Sequence, residues 1–93
     1  QPPAVIGPSE VRLEAGVAFE QTVTLETEEP VDDTVSFRSN SLPSYIPLDP
    51  ATGVLTVGQS PYETFDLDIT VWTEDAKGNK SEDFIIILYF IVS

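Results

Sequence analysis

Residues 42–57 read LPSYIPLDPATGVLTV, and this stretch carries the most informative pattern in the chain. Asp49 and Gly53 predict a tight turn, because an aspartate carboxylate can accept hydrogen bonds from amides ahead of it and glycine tolerates a positive φ. The proline between them favours the same turn by presetting φ. The apolar segments 42–46 and 54–57 on either side predict one strand before the turn and one after it.

A longer strand follows this turn. Residues 65–73 read FDLDITVWT, in which apolar residues alternate with mostly polar ones. A period of two is typical of a strand with one buried face. Lys77 and Gly78 then fall in a predicted hairpin loop that leads to the last strand.

The first half of the chain has the same period. Val11 and Leu13 alternate with charged residues, and residues 19–25 alternate again. Four residues of this second run are expected to face the core: Phe19, Gln21, Val23 and Leu25. No segment shows a helical period, so the sequence predicts an all-β sandwich of about seven antiparallel strands.

The last strand, about residues 82–92, is apolar on both faces. One set of alternating residues is expected to line the core: Phe84, Ile86, Leu88 and Phe90. The opposite set is apolar as well: Ile85, Ile87, Tyr89 and Ile91. Either a neighbouring domain or partner covers this second face, with Ile85, Ile87 and Tyr89 as the candidate interface, or acidic side chains on flanking strands shield it.

Length and composition set limits on the class of protein. With 93 residues, 41% of them hydrophobic, residues 1–93 are expected to form one domain, and prolines near the start predict a linker over residues 1–8. The run 84–92 is short of the ~20 residues that a membrane-spanning helix needs, and residues 1–5 lack the pattern of a signal peptide. The chain contains no cysteine, histidine or methionine, which excludes a disulfide, a His-based catalytic triad and a Cys/His zinc site within it.

The chain is strongly acidic. Sixteen Asp and Glu residues against four Lys and Arg residues give a formal net charge of −12. Such a surface repels nucleic acid and anionic lipid, and attracts divalent cations or a basic partner. The alternative is that the charge serves only solubility in salty or extracellular surroundings.

The turn and the strand that follows it resemble cadherin-like repeats. Residues 48–55 match the Leu-Asp-x-x-Thr-Gly-x-Leu turn of that family, and residues 69–75 with the loop after them resemble its terminal strand. Residues 42–46 are similar to the Leu-Pro-x-Trp/Tyr-Leu phrase of the dystroglycan-type branch. The resemblance covers about three quarters of the chain and implies an immunoglobulin-like (cadherin-like) β-sandwich.

The same resemblance implies a calcium site. By position, Glu14, Glu63 and Asp75 match the glutamate of the first strand, the glutamate of the acidic segment and the Ala-x-Asp aspartate, which are expected to meet at one pole of the sandwich. The sequence departs from the family where Pro61 replaces the aspartate of the acidic segment. A solvated acidic pole without a bound ion is the alternative.

Two further groups have two interpretations each. Asp66 and Asp68 lie two residues apart, as a catalytic carboxylate pair could, but an outward charged face that protects a strand fits them better. Trp72 and Tyr62 could stack on sugar rings, although packing against the sheet is the commoner use of such residues.

Together these features predict a non-catalytic adhesion or spacer module from a larger surface or secreted protein, and so an extracellular or cell-surface location. The expected partners are neighbouring domains, a protein or glycan ligand, or a second copy of the chain, with no nucleic acid. The parent is expected to be a surface or secreted protein, with membrane anchoring as one option. The alternative is a calcium-dependent carbohydrate-binding module appended to a glycan-active enzyme.

Overall fold

The computed structural model describes residues 1–93 and contains eight β-strands and no helix. In chain order the strands are β1 (Val5–Ile6), β2 (Glu10–Glu14), β3 (Gln21–Thr24), β4 (Glu26–Thr27), β5 (Ser36–Ser39), β6 (Val54–Val57), β7 (Phe65–Glu74) and β8 (Phe84–Ile91). The fold therefore offers no helix that could cross a membrane.

The strands form two layers. One layer is a four-stranded sheet in the order β2-β8-β7-β5. The other consists of the pairs β1-β4 and β3-β6, which adjoin because only Leu25 separates β3 from β4 along the chain. This arrangement confirms the predicted all-β sandwich.

The core lies between the two layers. Inward positions alternate along β7 and β8, so that Ile69, Val71, Ile86, Leu88 and Phe90 are all nearly inaccessible to water. The second layer and the loops contribute most of the remaining buried apolar side chains: Val5, Val23, Leu25, Ile46, Leu55 and Val57. Burial of each such side chain stabilises the fold by about 1.5–3 kcal/mol, which makes this interdigitated layer the main favourable term.

The start of the chain changes layers at Gly7 and Pro8. β1 pairs with β4 in the second layer, whereas β2 pairs with β8 in the four-stranded sheet. Val5 is buried, and the hydroxyl of Thr73 donates a 2.6 Å hydrogen bond to the carbonyl of Pro3. Part of the segment expected to be a linker, residues 1–8, is therefore packed into the sandwich.

One strand pair departs from the expected antiparallel pattern. β2 runs parallel to β8, with Glu10 opposite Ile87 and Leu13 opposite Phe90. The layer change explains this, because β2 continues in the direction of β1 while lying beside the last strand. The other strand pairs in the molecule are antiparallel.

The turn at residues 49–53 is confirmed. The carboxylate of Asp49 accepts hydrogen bonds from the amides of Ala51 at 2.9 Å and Thr52 at 3.2 Å, and the amide of Gly53 donates to the Asp49 carbonyl at 2.9 Å. Gly53 has a φ of 76°. This local network positions β6 directly after the turn.

The strand predicted over residues 42–46 does not form. Ile46 donates its amide to the carbonyl of Pro43, which makes a turn that places the Ile46 side chain in the core. The end of the segment still lies beside β6, because the carbonyls of Tyr45 and Pro47 accept hydrogen bonds from the amides of Gly58 at 2.7 Å and Thr56 at 3.1 Å. Leu48 forms an isolated bridge to Leu55. Prolines at 43, 47 and 50 lack the amide hydrogens that a ladder would need.

Phe19 does not face the core as predicted. Its side chain is 57% exposed, and β3 begins only at Gln21, whose partner Val57 is the last residue of β6. The Gln21 side chain turns to the edge of β2 instead. It accepts a hydrogen bond from the Glu14 amide at 2.9 Å and donates one to the Glu14 carbonyl at 3.0 Å.

The sandwich is elongated, with extents of 42 × 20 × 19 Å, and its two ends hold opposite ends of the chain. The N-terminal pole comprises residues 1–3, the loop 28–34 and the hairpin loop 75–80. The C-terminal pole comprises residues 15–20, 58–64 and 92–93. β7 and β8 run between the two poles.

Substitution of Gly53 tests the turn on which this arrangement depends. A Cβ at this position would lie 2.8 Å from both the Leu25 carbonyl oxygen and the Phe37 ring, in addition to the positive φ. We expect Gly53→Ala to lower the free energy of unfolding by about 2–4 kcal/mol, measured by urea denaturation.

Gly78→Ala is the matched control, because Gly78 also has a positive φ of 87° but a Cβ there would meet no atom within 4 Å. The backbone strain alone costs about 1 kcal/mol. Equal losses of unfolding free energy in the two variants would show that crowding of the added Cβ against Leu25 and Phe37 contributes nothing at position 53.

The turn should also respond to pH. Hydrogen bonds from the amides of Ala51 and Thr52 lower the pKa of Asp49 from its ordinary value of 3.8. Because the pKa is lower in the folded state, the carboxylate stabilises the fold above pH 3.8, and this stabilisation is lost as the pH falls through the folded-state pKa.

We therefore expect the difference in unfolding free energy between the natural chain and Asp49→Asn to shrink as the pH is lowered from neutral to below 3.8. Urea denaturation at a series of pH values measures it. Asp33→Asn, which removes an equal charge from an exposed loop residue, is the comparison. A difference for Asp49→Asn that stays constant over this range would contradict the expectation.

Candidate functional surface

An apolar row runs along the outer face of the four-stranded sheet. Because β8 alternates, burial of Ile86, Leu88 and Phe90 turns Ile85, Ile87 and Tyr89 outward. We call these three outward residues the β8 row. Ile85 is 57% exposed, and Ile87 and Tyr89 are partly exposed.

Charged residues border the β8 row on both sides. On β2, Glu10 lies opposite Ile87 and Arg12 lies opposite Tyr89. On β7, Asp68 lies opposite Ile87 and Asp66 lies opposite Tyr89. These flanking carboxylates are the expected acidic shield of the face, and Ile85 remains exposed despite them.

Burial and the carboxylates beside the β8 row both affect the pKa of Tyr89. Burial raises the pKa of its hydroxyl, and the nearby carboxylates of Glu10, Asp66 and Asp68 raise it further. The row therefore combines partial removal from water with a negative potential. Asp66 and Asp68 themselves are exposed and point outward, so neither is held in the dry environment that a catalytic acid requires.

Trp72 lies on the same outer face, further toward the N-terminal pole. The ammonium of Lys80 sits 4.2 Å from the centroid of its ring, and the indole nitrogen lies 3.5 Å from a carboxylate oxygen of Glu74. Arg38 is directly opposite Trp72 on β5. One face of the indole is thus occupied by a cation–π contact within the chain itself.

The structure does not bring the three candidate calcium ligands together. Glu14 and Glu63 lie at the C-terminal pole, whereas Asp75 follows β7 at the N-terminal pole. Since β7 has ten residues, Glu63 and Asp75 are separated by roughly 30 Å at about 3.3 Å per residue. The calcium site that the resemblance implies is therefore not assembled from these three residues.

Asp75 has a local structural role instead. Its carboxylate accepts hydrogen bonds from the amides of Lys77 at 2.9 Å and Asn79 at 3.0 Å, and from the Asn79 side chain at 3.1 Å. The side-chain bond from Asn79 is the main reason that the pKa of Asp75 is lowered. Asp75 thus organises the hairpin loop, and no three acidic side chains of the molecule are grouped closely enough to hold a metal ion.

At the C-terminal pole, Tyr62 is 71% exposed and covers Gly16, where an added Cβ would lie 2.7 Å from the tyrosine ring. The hydroxyl of Ser60 accepts a hydrogen bond from the Gly16 amide at 3.0 Å. Tyr62 is therefore held against the backbone of the loop beneath it. Phe19 is the other large exposed aromatic residue of this pole.

The sequence pattern does not identify Glu10 as a neighbour of the β8 row. Its pairing with Ile87 depends on the parallel register of β2 and β8, which join residues distant in the chain. No local pattern specifies that register. Asp66 and Asp68 were identified as a charged face, and their adjacency to the row follows from the hairpin between β7 and β8.

Comparison with known families assigns the chain to a class. The family model He_PIG, described as "Putative Ig domain", matches residues 2–89. The chain belongs to this family of immunoglobulin-like domains, and the predicted immunoglobulin-like repeat is confirmed at this level. The dystroglycan-type branch stays a prediction. No curated protein sequence is detectably similar to the chain.

Several solved structures share the fold. The R347E mutant of the SrpA adhesin from Streptococcus sanguinis superposes with a TM-score of 0.66 at 16% identity, over 100% of this chain and 60% of that one. The GspB Siglec domain gives 0.61 at 19% identity, over 100% of this chain and 59% of that one. A Bacteroides fragilis protein described as a "putative alpha-galactosidase" gives 0.65 at 16% identity, over 97% of this chain and 18% of that one.

At these identities the likeness concerns the fold alone. The chain spans about three fifths of the SrpA adhesin and of the GspB Siglec domain, and less than one fifth of the galactosidase-type protein. It therefore corresponds to one part of each of these larger molecules.

Separation of the acidic residues leads to a prediction for calcium. Calcium takes about six to eight oxygen ligands, and the C-terminal pole offers only Glu14 and Glu63 of the three candidates. We expect millimolar calcium to raise the thermal midpoint no more than the same concentration of magnesium, because both ions would act through charge screening. A calcium-specific increase that Glu63→Gln abolishes would contradict this expectation.

Proposed function

We propose that the chain is a non-catalytic adhesion or spacer module of a larger surface or secreted protein, and that it binds a protein through the outer face of its four-stranded sheet. The observation that carries this proposal is the β8 row, three neighbouring apolar side chains that the core does not use. The immunoglobulin-like class is consistent with such a role, because these domains commonly present loops and sheet faces to partners.

The position of β8 strengthens the argument. β8 is a central strand, hydrogen-bonded to β2 on one side and β7 on the other. A partner cannot cover the row by adding a strand beside it, so a partner must lie across the face. A sheet with one solvated face normally carries polar residues on that face. The side chain of Ile85 is apolar and exposed there, so it does not contribute to the core.

The shape of the sandwich supports the spacer role. The chain enters at the N-terminal pole and leaves at the C-terminal pole, at opposite ends of a body 42 Å long. Modules joined through such poles would extend in a line and leave the sheet faces free. Two of the solved structures with this fold are an adhesin and a Siglec domain, which supports an extracellular location for this chain as well.

A carbohydrate-binding module appended to a glycan-active enzyme is the second candidate. It is favoured by the match to one part of a galactosidase-type protein and by the outward position of Trp72. The contact between Lys80 and the Trp72 ring weighs against it, because a sugar would have to displace the ammonium to stack on that face. The protein-binding role is therefore preferred.

Binding to a panel of immobilised extracellular proteins and polysaccharides tests the proposal. The row variant, Ile85→Thr with Ile87→Thr, keeps β-branched side chains but removes apolar surface. We expect any protein on the panel that binds the natural chain to bind the row variant at least about tenfold more weakly.

The control variant carries Glu26→Gln and Glu29→Gln, two exposed positions on β4 and the loop after it. Its binding should match that of the natural chain. A protein ligand that the row variant binds with full affinity would refute the proposed face. Binding restricted to polysaccharides and lost in Trp72→Ala would support the carbohydrate-binding module instead.

A further inference from the structure

The charges around the β8 row restrict what can cover it. Four carboxylates lie at positions of β2 and β7 that pair with residues of β8, and one guanidinium lies among them: Glu10, Glu14, Asp66 and Asp68, with Arg12. Neighbouring strands are about 4.8 Å apart, so these groups lie within a Debye length of about 8 Å from the row at physiological salt. A partner that contacts the row also meets their potential.

A second copy of the chain is a poor partner for this face. Its own flanks would bring four more carboxylates toward the first four, in a molecule whose net charge is already −12. Like charges brought together at an interface oppose association. The row would have to supply all the attraction against this repulsion.

We infer that the partner of this face is a basic amphipathic polypeptide segment, with one apolar stripe that covers the β8 row and Lys or Arg residues on both sides of that stripe. This inference rests on the proposed function, and it specifies the partner's chemistry. Acidic residues lie on both sides of the row, Asp66 and Asp68 on β7 and Glu10 and Glu14 around Arg12 on β2. Basic residues on both sides of the stripe would complement them.

The outward face of β8 accommodates a short helix. From Ile85 to Ile91 the outward positions span roughly 20 Å, since each two-residue step along a strand covers about 6.7 Å. A helix of about 13 residues has this length. Its apolar stripe is narrow, and the basic residues beside it would reach the carboxylates of Asp66 and Asp68 on one side and Glu10 on the other.

Three synthetic helical peptides of about 15 residues test the inference. All carry the same leucine stripe, and the flanking positions hold Lys in the first, Gln in the second and Glu in the third. Affinities for the natural chain are measured by calorimetry at about 0.02 M and 0.2 M salt.

We expect the Lys peptide to bind at least about tenfold more tightly than the Gln peptide at low salt, the Glu peptide to bind weakest, and the differences to shrink at high salt. The row variant should bind the Lys peptide about tenfold more weakly. Asp66→Asn with Asp68→Asn should weaken it about fivefold, whereas Glu26→Gln with Glu29→Gln should weaken it less than about twofold.

Each contrary result has a definite meaning. An equal loss of affinity for the Lys peptide in Asp66→Asn with Asp68→Asn and in the control variant would show attraction by net charge alone, and would overturn the inference. Equal affinities for the Lys and Gln peptides, both lowered in the row variant, would overturn the basic partner and leave the proposed face intact. Affinities that the row variant leaves unchanged would overturn both.

Self-association is the remaining contrary result. If sedimentation shows that the natural chain dimerises at low salt and that the row variant is monomeric, the face is an interface between copies and the inference fails.

Circular dichroism and thermal melts of every variant establish that the variant is folded. The Asn substitutions preserve side-chain size on an exposed face, so they supply a folded test even if the row variant is destabilised.

Discussion

The antiparallel register of β7 with β8 determines both surfaces of the four-stranded sheet. Ile69 lies opposite Ile86, and Leu67 lies opposite Leu88, so the inward side chains of the two strands form the centre of the core. Because side chains alternate with a period of two, a slip of β7 by one residue would bury Asp68 and expose Leu67 and Ile69. The same register that builds the core therefore also fixes which residues stand beside the β8 row.

The features that the sequence predicts well are local ones. The turn at Asp49 and Gly53 follows from side-chain and backbone preferences within five residues, and β7 follows from its own alternation. The inward and outward sets of β8 are likewise predicted from period alone, including the exposure of Ile85. Each of these needs no knowledge of which strands become neighbours.

The features that the sequence predicts poorly depend on topology. The layer change at Gly7 makes β2 parallel to β8, and that pairing alone brings Glu10 beside the row. The separation of Glu63 from Asp75, by contrast, follows from the length of β7 itself, since one precedes this ten-residue strand and the other follows it. Phe19 is exposed because β6 ends at Val57 and leaves no partner beyond Gln21.

The Gln21 side chain has a consequence for how the molecule behaves at high concentration. β2 is an edge strand, and an unpaired edge invites other chains to extend the sheet. The amide group of Gln21 satisfies both backbone groups of Glu14, as a neighbouring strand would. A strand from another molecule could not hydrogen-bond to the backbone of Glu14, because Gln21 already occupies both groups. This protection opposes intermolecular sheet extension at this end of β2, although the outer face of the sheet exposes isoleucine.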